Sequence, residues 1–411
     1  MTGIARINCE DKLNPSLRKL WKISVFFFVL CNTAFSSQFS LMILSTISLY
    51  FLLVVSAICI ISSGVIKLNL FVMSFAGFLA ITLVGCLYSS NSNCFSHVYD
   101  CFVCVCLVFC FLNFIYDYHD VEFIFKAFMI SGIVMDFYIM SIYGTGFVEA
   151  IFTQTRIGEI VGNSNNVGLK SCYSALIALF FLLNEKQSRR IKALYAFIII
   201  VGVFFSLITA SKKVVILLLL GFVYLFLFSN QRKRFLVVTR NLFIGLCVIA
   251  LFIYLVYNST YFEYLKIRID DLISFLSEGD GNSSDQKRMR FLIEGFEVFK
   301  KHFLFGDGTL SSVNYFDTYS HSNFIEILMN HGIVGFGVFY FVYPLVIYRC
   351  YKYKRVDTEG VNMSRLCMLV FVSILVLSIA LVYYMYVYYQ LLLAVASSYV
   401  LNPNMMVWRE R

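Results

Sequence analysis

A histidine at the border of a polar stretch and an apolar run is the residue with the clearest chemical potential. His321 precedes the apolar run that begins at Phe324. An imidazole changes protonation near neutral pH and can accept a proton from a hydroxyl group. We expect Ser320 to cap the following helix and His321 to lie in its first turn. The positive helix end would then lower the imidazole pKa and favour the neutral base.

Basic and amide side chains near His321 or near other membrane borders could hold a ligand. Helical spacing in 286–301 places Arg288 on one face with Leu292, Phe296 and Phe299, which predicts that it points toward the membrane mouth. Cations suit a phosphate group and amides suit sugar hydroxyls, although amides at a helix start equally suit capping. The candidate ligand-binding residues are Arg156, Lys212, Lys213, Arg290, Asn163, Asn165 and Asn323.

The composition is that of a membrane protein. Of the 411 residues, 60% are hydrophobic and 14% are charged, and the formal net charge is +9. Soluble domains have about 45–50% apolar and about 25% charged residues. The basic residues form short clusters between apolar runs, which indicates membrane orientation and argues against a nucleic-acid partner.

The 13 cysteines mostly lie inside apolar runs, among them Cys101, Cys104, Cys106 and Cys110. A free cysteine in such a run usually packs as a small apolar residue. We therefore expect packing there, and neither a metal site nor a cofactor.

The apolar runs predict an all-α polytopic fold with about 12 transmembrane helices, because a crossing needs about 20 residues. The predicted spans are 23–38, 40–61, 68–88, 98–116, 121–143, 163–183, 193–210, 213–229, 241–257, 324–348, 366–385 and 387–402. Residues 1–257 would form spans one to nine, and residues 324–411 the last three. Residues 258–323 would form a large external loop with helices near 263–277 and 286–301.

The positive-inside rule agrees with this count when both termini are cytoplasmic. The strongest basic clusters then lie inside, including those around Arg18 and Arg190. Arg156, Lys212 and Lys213 fall outside in short loops, against the rule. Basic residues in that position indicate anion binding, although Lys212 and Lys213 could also anchor lipid headgroups.

Four segments, in order, resemble the signatures of the O-antigen ligase and O-antigen polymerase superfamily. His321-Ser322 followed by Gly332-Ile333-Val334-Gly335 resembles its histidine motif. The segment that contains Arg288, His302, Leu304, Gly306 and Gly308 resembles the family's Arg…His-Pro-Leu-x-Gly-x-Gly loop. The segment Thr209-Ala210-Ser211-Lys212 resembles its Thr-x-Ser-Arg motif. The segment Arg156…Asn163-Ser164-Asn165 resembles its Arg…Asn-Pro-Asn motif.

The chain departs from these signatures at several positions. Lys212 stands where the family has arginine, which keeps the charge but loses the two-pronged contact with phosphate. Phe303 and Ser164 replace prolines, and Phe291 or Leu292 replaces a tryptophan.

The resemblance implies a GT-C-like glycosyltransferase in the bacterial inner membrane, with its active site at the periplasmic face. The donor would be an undecaprenyl-pyrophosphate-linked oligosaccharide, and the other partners would be membrane lipids and a chain-length regulator protein. His321 would be the catalytic base and Arg288 the catalytic cation, while Arg156, Lys212, Lys213 and Arg290 would hold the pyrophosphate. Transfer would be inverting and metal-independent.

Three functions remain open. A polymerase, which lengthens the glycan on a new lipid-linked unit, is favoured by the segments Asn163–Asn166 and Gly306–Gly335. A ligase, which transfers the glycan to lipid A–core, is the close alternative. A lipid-linked oligosaccharide flippase is the alternative of another class, with Asp136 and Lys170 as its intramembrane ionisable groups.

Overall fold

The computed structural model describes residues 13–36, 41–64, 66–152, 157, 162–184, 187–228, 243, 247, 250–251, 253–278, 283–352 and 363–401. This part of the chain is helical and contains no strand. The helices are α1 Pro15–Phe35, α2 Met42–Ser63, α3 Leu70–Gly85, α4 Cys94–Asn113, α5 Tyr118–Tyr143, α6 Phe147–Phe152, α7 Ser164–Asn184, α8 Arg189–Ile208, α9 Lys212–Phe228, α10 Glu263–Glu278, α11 Ser283–Lys301, α12 Ser311–Phe316, α13 Asn323–Tyr340, α14 Val342–Lys352, α15 Met363–Leu377 and α16 Val387–Leu401.

The prediction of an all-α polytopic membrane protein is confirmed. Within the described residues, 6 helical stretches are long and apolar enough to cross a membrane. They comprise α2, α4, α5 with α6, α7, α8, and α13 with α14, and α3, α15 and α16 are shorter apolar helices. The predicted span 324–348 is divided in two at Phe341, and much of the predicted span 241–257 lies outside the described residues.

Two helices form the centre of the bundle. In the most apolar 18-residue stretch of α7, 78% of the residues are buried. Helix α7 packs against α5, α8 and α9. Helix α16 is buried along nearly its whole length and packs against α4 and α15. The Tyr173 hydroxyl lies 2.8 Å from the Ser373 hydroxyl, so α7 and α15 are also joined by a polar contact inside the core.

The starts of α1 and α5 lie together at one end of the bundle. Arg18 donates to Asp117 at 2.6 Å and to Asp120 at 2.8 Å, and Lys22 lies 2.7 Å from the second oxygen of Asp120. The Asp120 side chain is fully buried, and a buried charge requires such partners. These two chain segments therefore face the same side, as the charge pattern predicts.

The helices predicted in the large loop are present as α10 and α11. Helix α11 packs on α13 through Phe291, Val298 and the close approach of Gly295, where an added Cβ would lie 2.4 Å from Ile325 Cγ2. The prediction that Phe296 belongs to the packed apolar face of α11 was wrong, because this residue is 44% exposed. The side chain of Arg288 is 33% exposed, at the edge of the packed face.

Helix α13 is broken at Gly332, and the preceding loop fills the break. Gly332 has φ +61° and ψ −163°, so an added Cβ would lie 2.4 Å from the Leu304 carbonyl oxygen. Ile333 N–H donates to Phe303 O at 2.9 Å, and Asp307 N–H donates to Met329 O at 2.8 Å. Backbone groups opened inside a membrane protein need partners of this kind. The glycines of the histidine motif therefore permit a close contact between two backbones.

We expect Gly332→Ala to destabilise the protein. The backbone conformation alone would cost a non-glycine residue about 1–3 kcal/mol, and the contact with Leu304 adds to that cost. The melting temperature of the purified protein in detergent should fall clearly. Gly337→Ala is the matched control, because its Cβ would meet nothing within 4 Å and should leave the melting temperature unchanged or higher. Equal melting temperatures for the two variants would contradict this account of the break.

Candidate functional site

His321 lies in the loop that joins α12 to α13. Its φ is +63°, in the left-handed region that few non-glycine residues adopt. The cap of α13 is Ser322, whose hydroxyl accepts the Ile325 N–H at 3.5 Å. The expectations that Ser320 is the cap and that His321 lies in the first turn were therefore wrong by two positions. The left-handed residue lies directly before this cap.

A buried carboxyl group holds the chain immediately before His321. Glu326, only 1% exposed, accepts the Ser320 N–H at 2.7 Å on one oxygen. Its other oxygen accepts the Ser312 hydroxyl and the Asn330 side-chain amide. Sequence reasoning missed Glu326, although an acidic residue inside an apolar helix is itself a signal of function.

The loop after α15 holds the other side of His321. Ser322 Oγ and Asn323 N both donate to Ser378 O, at 3.1 and 2.8 Å. The Asn323 side-chain oxygen accepts the N–H groups of Tyr383 and Tyr384 at 3.0 and 3.1 Å, and its amide donates to a tyrosine hydroxyl. Asn323 is fully buried, and these hydrogen bonds position the loop.

Aromatic rings enclose the imidazole. The ring of His321 lies parallel to that of Phe291, at an interplanar angle of 4° and a centroid distance of 6.2 Å. Phe316 stacks on Phe291 at 4.3 Å. The Tyr319 ring lies 4.3 Å from the imidazole centroid. Between the two candidates for the family's tryptophan position, Phe291 is the one that contacts the histidine.

The surroundings of His321 favour its neutral form. Partial burial lowers the pKa of His321 to about 4, and the positive charges of Arg288, Lys213 and Lys287 act in the same direction. The predicted direction of the shift is confirmed, but these causes replace the helix end that we expected. Lys287 was not among the predicted site residues.

An ion pair ties the start of α9 to α11. Lys212 Nζ lies 2.8 Å from Asp285 Oδ2, with both side chains about nine-tenths buried, and Arg288 Nη1 lies 3.6 Å from the other oxygen. Lys213 Nζ donates to Ala380 O at 2.7 Å. Lys212, Lys213 and Arg288 thus converge near His321, and Asp285, which sequence reasoning missed, neutralises part of their charge.

The turn before α9 packs against α7. Ala210 has φ +48°, and the Thr209 hydroxyl lies so close to α7 that a Cβ on Gly168 would be 2.3 Å from it. The segments Asn163–Gly168 and Thr209–Lys212 therefore meet through Gly168 and Thr209.

Asn163 and Arg290 make local contacts. Asn163 Oδ1 accepts the Asn165 N–H at 2.9 Å, which is the capping role considered above. The Arg290 side chain is 62% exposed and lies 3.4 Å from Glu294. Arg156 lies outside the described residues.

Comparison with known proteins gives one family match. Residues 196–340 match the Wzy_C family, described as O-antigen ligase. The Wzy_C match confirms the resemblance to the O-antigen ligase and polymerase superfamily, and it contains Thr209–Lys213, Arg288, His321 and Gly332. The Asn163–Asn165 segment lies outside the matched range. No curated protein gives a significant match to the chain.

We expect His321 to titrate near pH 4, and Arg288→Ala to raise its pKa toward the ordinary value because one positive charge is removed. With 5 histidines in the chain, NMR of ring-labelled histidine in detergent can resolve the signal, which His321→Ala would assign. Arg290→Ala is the matched control on the same helix, because Arg290 is not among the charges that lower the pKa of His321. An unchanged His321 pKa in Arg288→Ala would exclude this electrostatic assignment.

Proposed function

We propose that the chain is a glycosyltransferase that lengthens a lipid-linked glycan at the outer face of the bacterial inner membrane. The observation that carries the proposal is the place of His321, whose ring lies beside those of Phe291 and Tyr319 and whose pKa is lowered by burial and by Arg288 and Lys213. The donor is proposed to be an undecaprenyl-pyrophosphate-linked oligosaccharide. The Wzy_C match supports substrates of this general class, namely lipid-linked oligosaccharides.

The proposed reaction divides the work between the base and the cations. The acceptor hydroxyl oxygen attacks the anomeric carbon of the donor glycan while the bond from that carbon to the pyrophosphate oxygen breaks. The hydroxyl proton passes to His321, and the negative charge on the leaving pyrophosphate is stabilised by Arg288 and Lys213. One displacement inverts the anomeric centre. The imidazolium then returns its proton to the pyrophosphate or to water.

Donor binding would also tune the base. Burial and, after it, three cations lower the pKa of His321 in the free protein, and a bound pyrophosphate would neutralise the cations. The pKa of His321 would then rise toward neutral, which strengthens the base only when the donor is in place.

A groove below Lys213 suits the donor's lipid tail. It has a volume of about 910 Å³ and runs between α9 and α15, from Lys213 and Ala380 to Phe228 and Tyr351. The lining residues between these ends are mostly apolar, among them Leu220, Met368 and Val376. A polyprenyl chain in this groove would place its pyrophosphate at Lys213, next to Arg288 and His321.

We favour the polymerase function and propose a chain-length regulator protein as its partner. The ligase function is the alternative. Both termini would be cytoplasmic, which fits the common side of the α1 and α5 starts. The flippase reading has less support. Lys170 donates to Thr33 O at 2.9 Å and Asp136 accepts the Ser171 hydroxyl at 2.6 Å, so both side chains are held in the packed core.

We expect His321→Ala to lower polymerisation by about 10²–10⁴-fold, the usual range for a lost general base. Arg288→Ala should lower polymerisation in the same way. Arg288→Lys should retain part of the activity because it keeps the charge. His119→Ala is the control, because His119 is 61% exposed at the start of α5 and contacts Glu122.

Glycan gels of cells with equal protein levels provide the measurement. Loss of long chains with one repeat unit left on the core supports the polymerase, whereas loss of every repeat unit supports the ligase. Full-length chains in His321→Ala cells would refute the assignment of the base.

We expect Leu220→Trp to raise KM for the polyprenyl-linked donor about tenfold, since the indole would fill part of the groove where Leu220 is 56% exposed. A donor with a short prenyl chain should be affected less. Leu194→Trp is the matched control, because Leu194 is 53% exposed on α8 and does not line the groove. Equal KM values for Leu220→Trp and Leu194→Trp in proteoliposomes would rule out this path for the lipid.

A further inference from the structure

We propose that a second cavity, which Tyr319 lines and the cations do not, binds the sugar residues of the acceptor glycan. We call it the tyrosine cavity; it is lined by parts of α2, α4, α12, the His321 loop and the loop after α15. The inference rests on the proposed function and names the subsite from which the attacking hydroxyl comes.

The tyrosine cavity lies next to His321, with the Tyr319 ring between them. Its volume is about 700 Å³, within the usual range of ligand pockets. Tyr319 lines this cavity, and the same ring lies 4.3 Å from the His321 imidazole. Glu326, which holds the backbone before His321, also lines it. A sugar in the cavity would therefore lie one side chain away from the base.

The lining carries groups that suit a polyol. Four tyrosines with exposed rings converge there, namely Tyr50 (59%), Tyr99 (63%), Tyr319 (39%) and Tyr386 (42%). Their hydroxyls and the Asp100 carboxyl group make no hydrogen bond to any other residue that the structure describes. A tyrosine offers an apolar face for the C–H side of a sugar and a hydroxyl at its edge. A carboxylate accepts strong hydrogen bonds from sugar hydroxyls.

Charge separates this cavity from the donor side. Lys213, Arg288 and Lys287 are the cations that act on His321, and none of them lines the tyrosine cavity, whose acidic groups are Asp100 and Glu326. An anionic pyrophosphate is attracted to the cations and repelled by the carboxyl groups of the cavity. Donor phosphate and acceptor sugar would thus bind in separate surroundings near the base.

The competing interpretation is an aromatic belt, because tyrosines are enriched where helices meet the membrane surface. A belt would support insertion and stability and would have no affinity for sugar. It would also give no reason for Asp100 to stand among the rings.

The test measures binding without turnover, in His321→Ala protein held in nanodiscs. One probe is the repeat-unit oligosaccharide released by mild acid from the lipid-linked intermediate of a strain lacking this protein, and freed of phosphate. The other probe is inorganic pyrophosphate. Asp100→Asn and Tyr99→Ala, each added to His321→Ala, should weaken oligosaccharide binding about tenfold and leave pyrophosphate binding unchanged. Arg288→Ala, added to His321→Ala, should weaken pyrophosphate binding and leave oligosaccharide binding unchanged.

Tyr254→Ala is the matched control, because Tyr254 is 62% exposed and does not line the cavity. The proposal is overturned if the oligosaccharide does not bind, if Asp100→Asn and Tyr99→Ala bind it normally, or if Tyr254→Ala weakens it equally. A failure of the proposed function would instead appear as wild-type protein without transfer activity. If the oligosaccharide effects persisted in that case, the cavity would stand as a glycan site without the transferase.

Discussion

The requirement that backbone groups opened within the membrane find partners inside the protein organises the whole site. Helix α13 breaks at Gly332, and the segment 303–307 supplies the missing hydrogen bonds. Because this segment directly follows α11, the break also fixes where α11 ends. Helix α11 in turn brings Phe291 against the imidazole and Arg288 beside it. The break in α13 thus positions the residues of α11 that lie beside His321.

Electrostatic balance is the second organising principle. The cations near His321 are partly compensated by Asp285, and the imidazole stays neutral because it is partly buried and lies beside positive charge. A cavity with acidic groups and tyrosines shares Tyr319 with the surroundings of the same histidine. His321 therefore lies close both to surroundings suited to phosphate and to surroundings suited to hydroxyl groups.

Much of the fold could be predicted from the sequence, because long apolar runs and polar caps are local signals. The convergence of Lys212, Arg288 and His321 was predictable only through the order of the motifs. The sequence pattern did not indicate the roles of Glu326 and Asp285, because these roles depend on partners that are distant in the chain. It also misplaced His321, because a left-handed residue before the cap has no signature in residue type. Asn323 shows a further limit, because the sequence does not reveal that its side chain bonds the backbone of Tyr383.

The pair of Lys212 and Asp285 has a consequence for selectivity among anions. In the free protein the carboxylate already occupies the lysine and lies near Arg288. An incoming anion must compete with this internal counterion, which is present at a high effective concentration. A singly phosphorylated lipid offers little more than the carboxylate does, whereas a diphosphate can reach several cations together. Asp285 would thus disfavour binding of the abundant phospholipid headgroups of the surrounding bilayer.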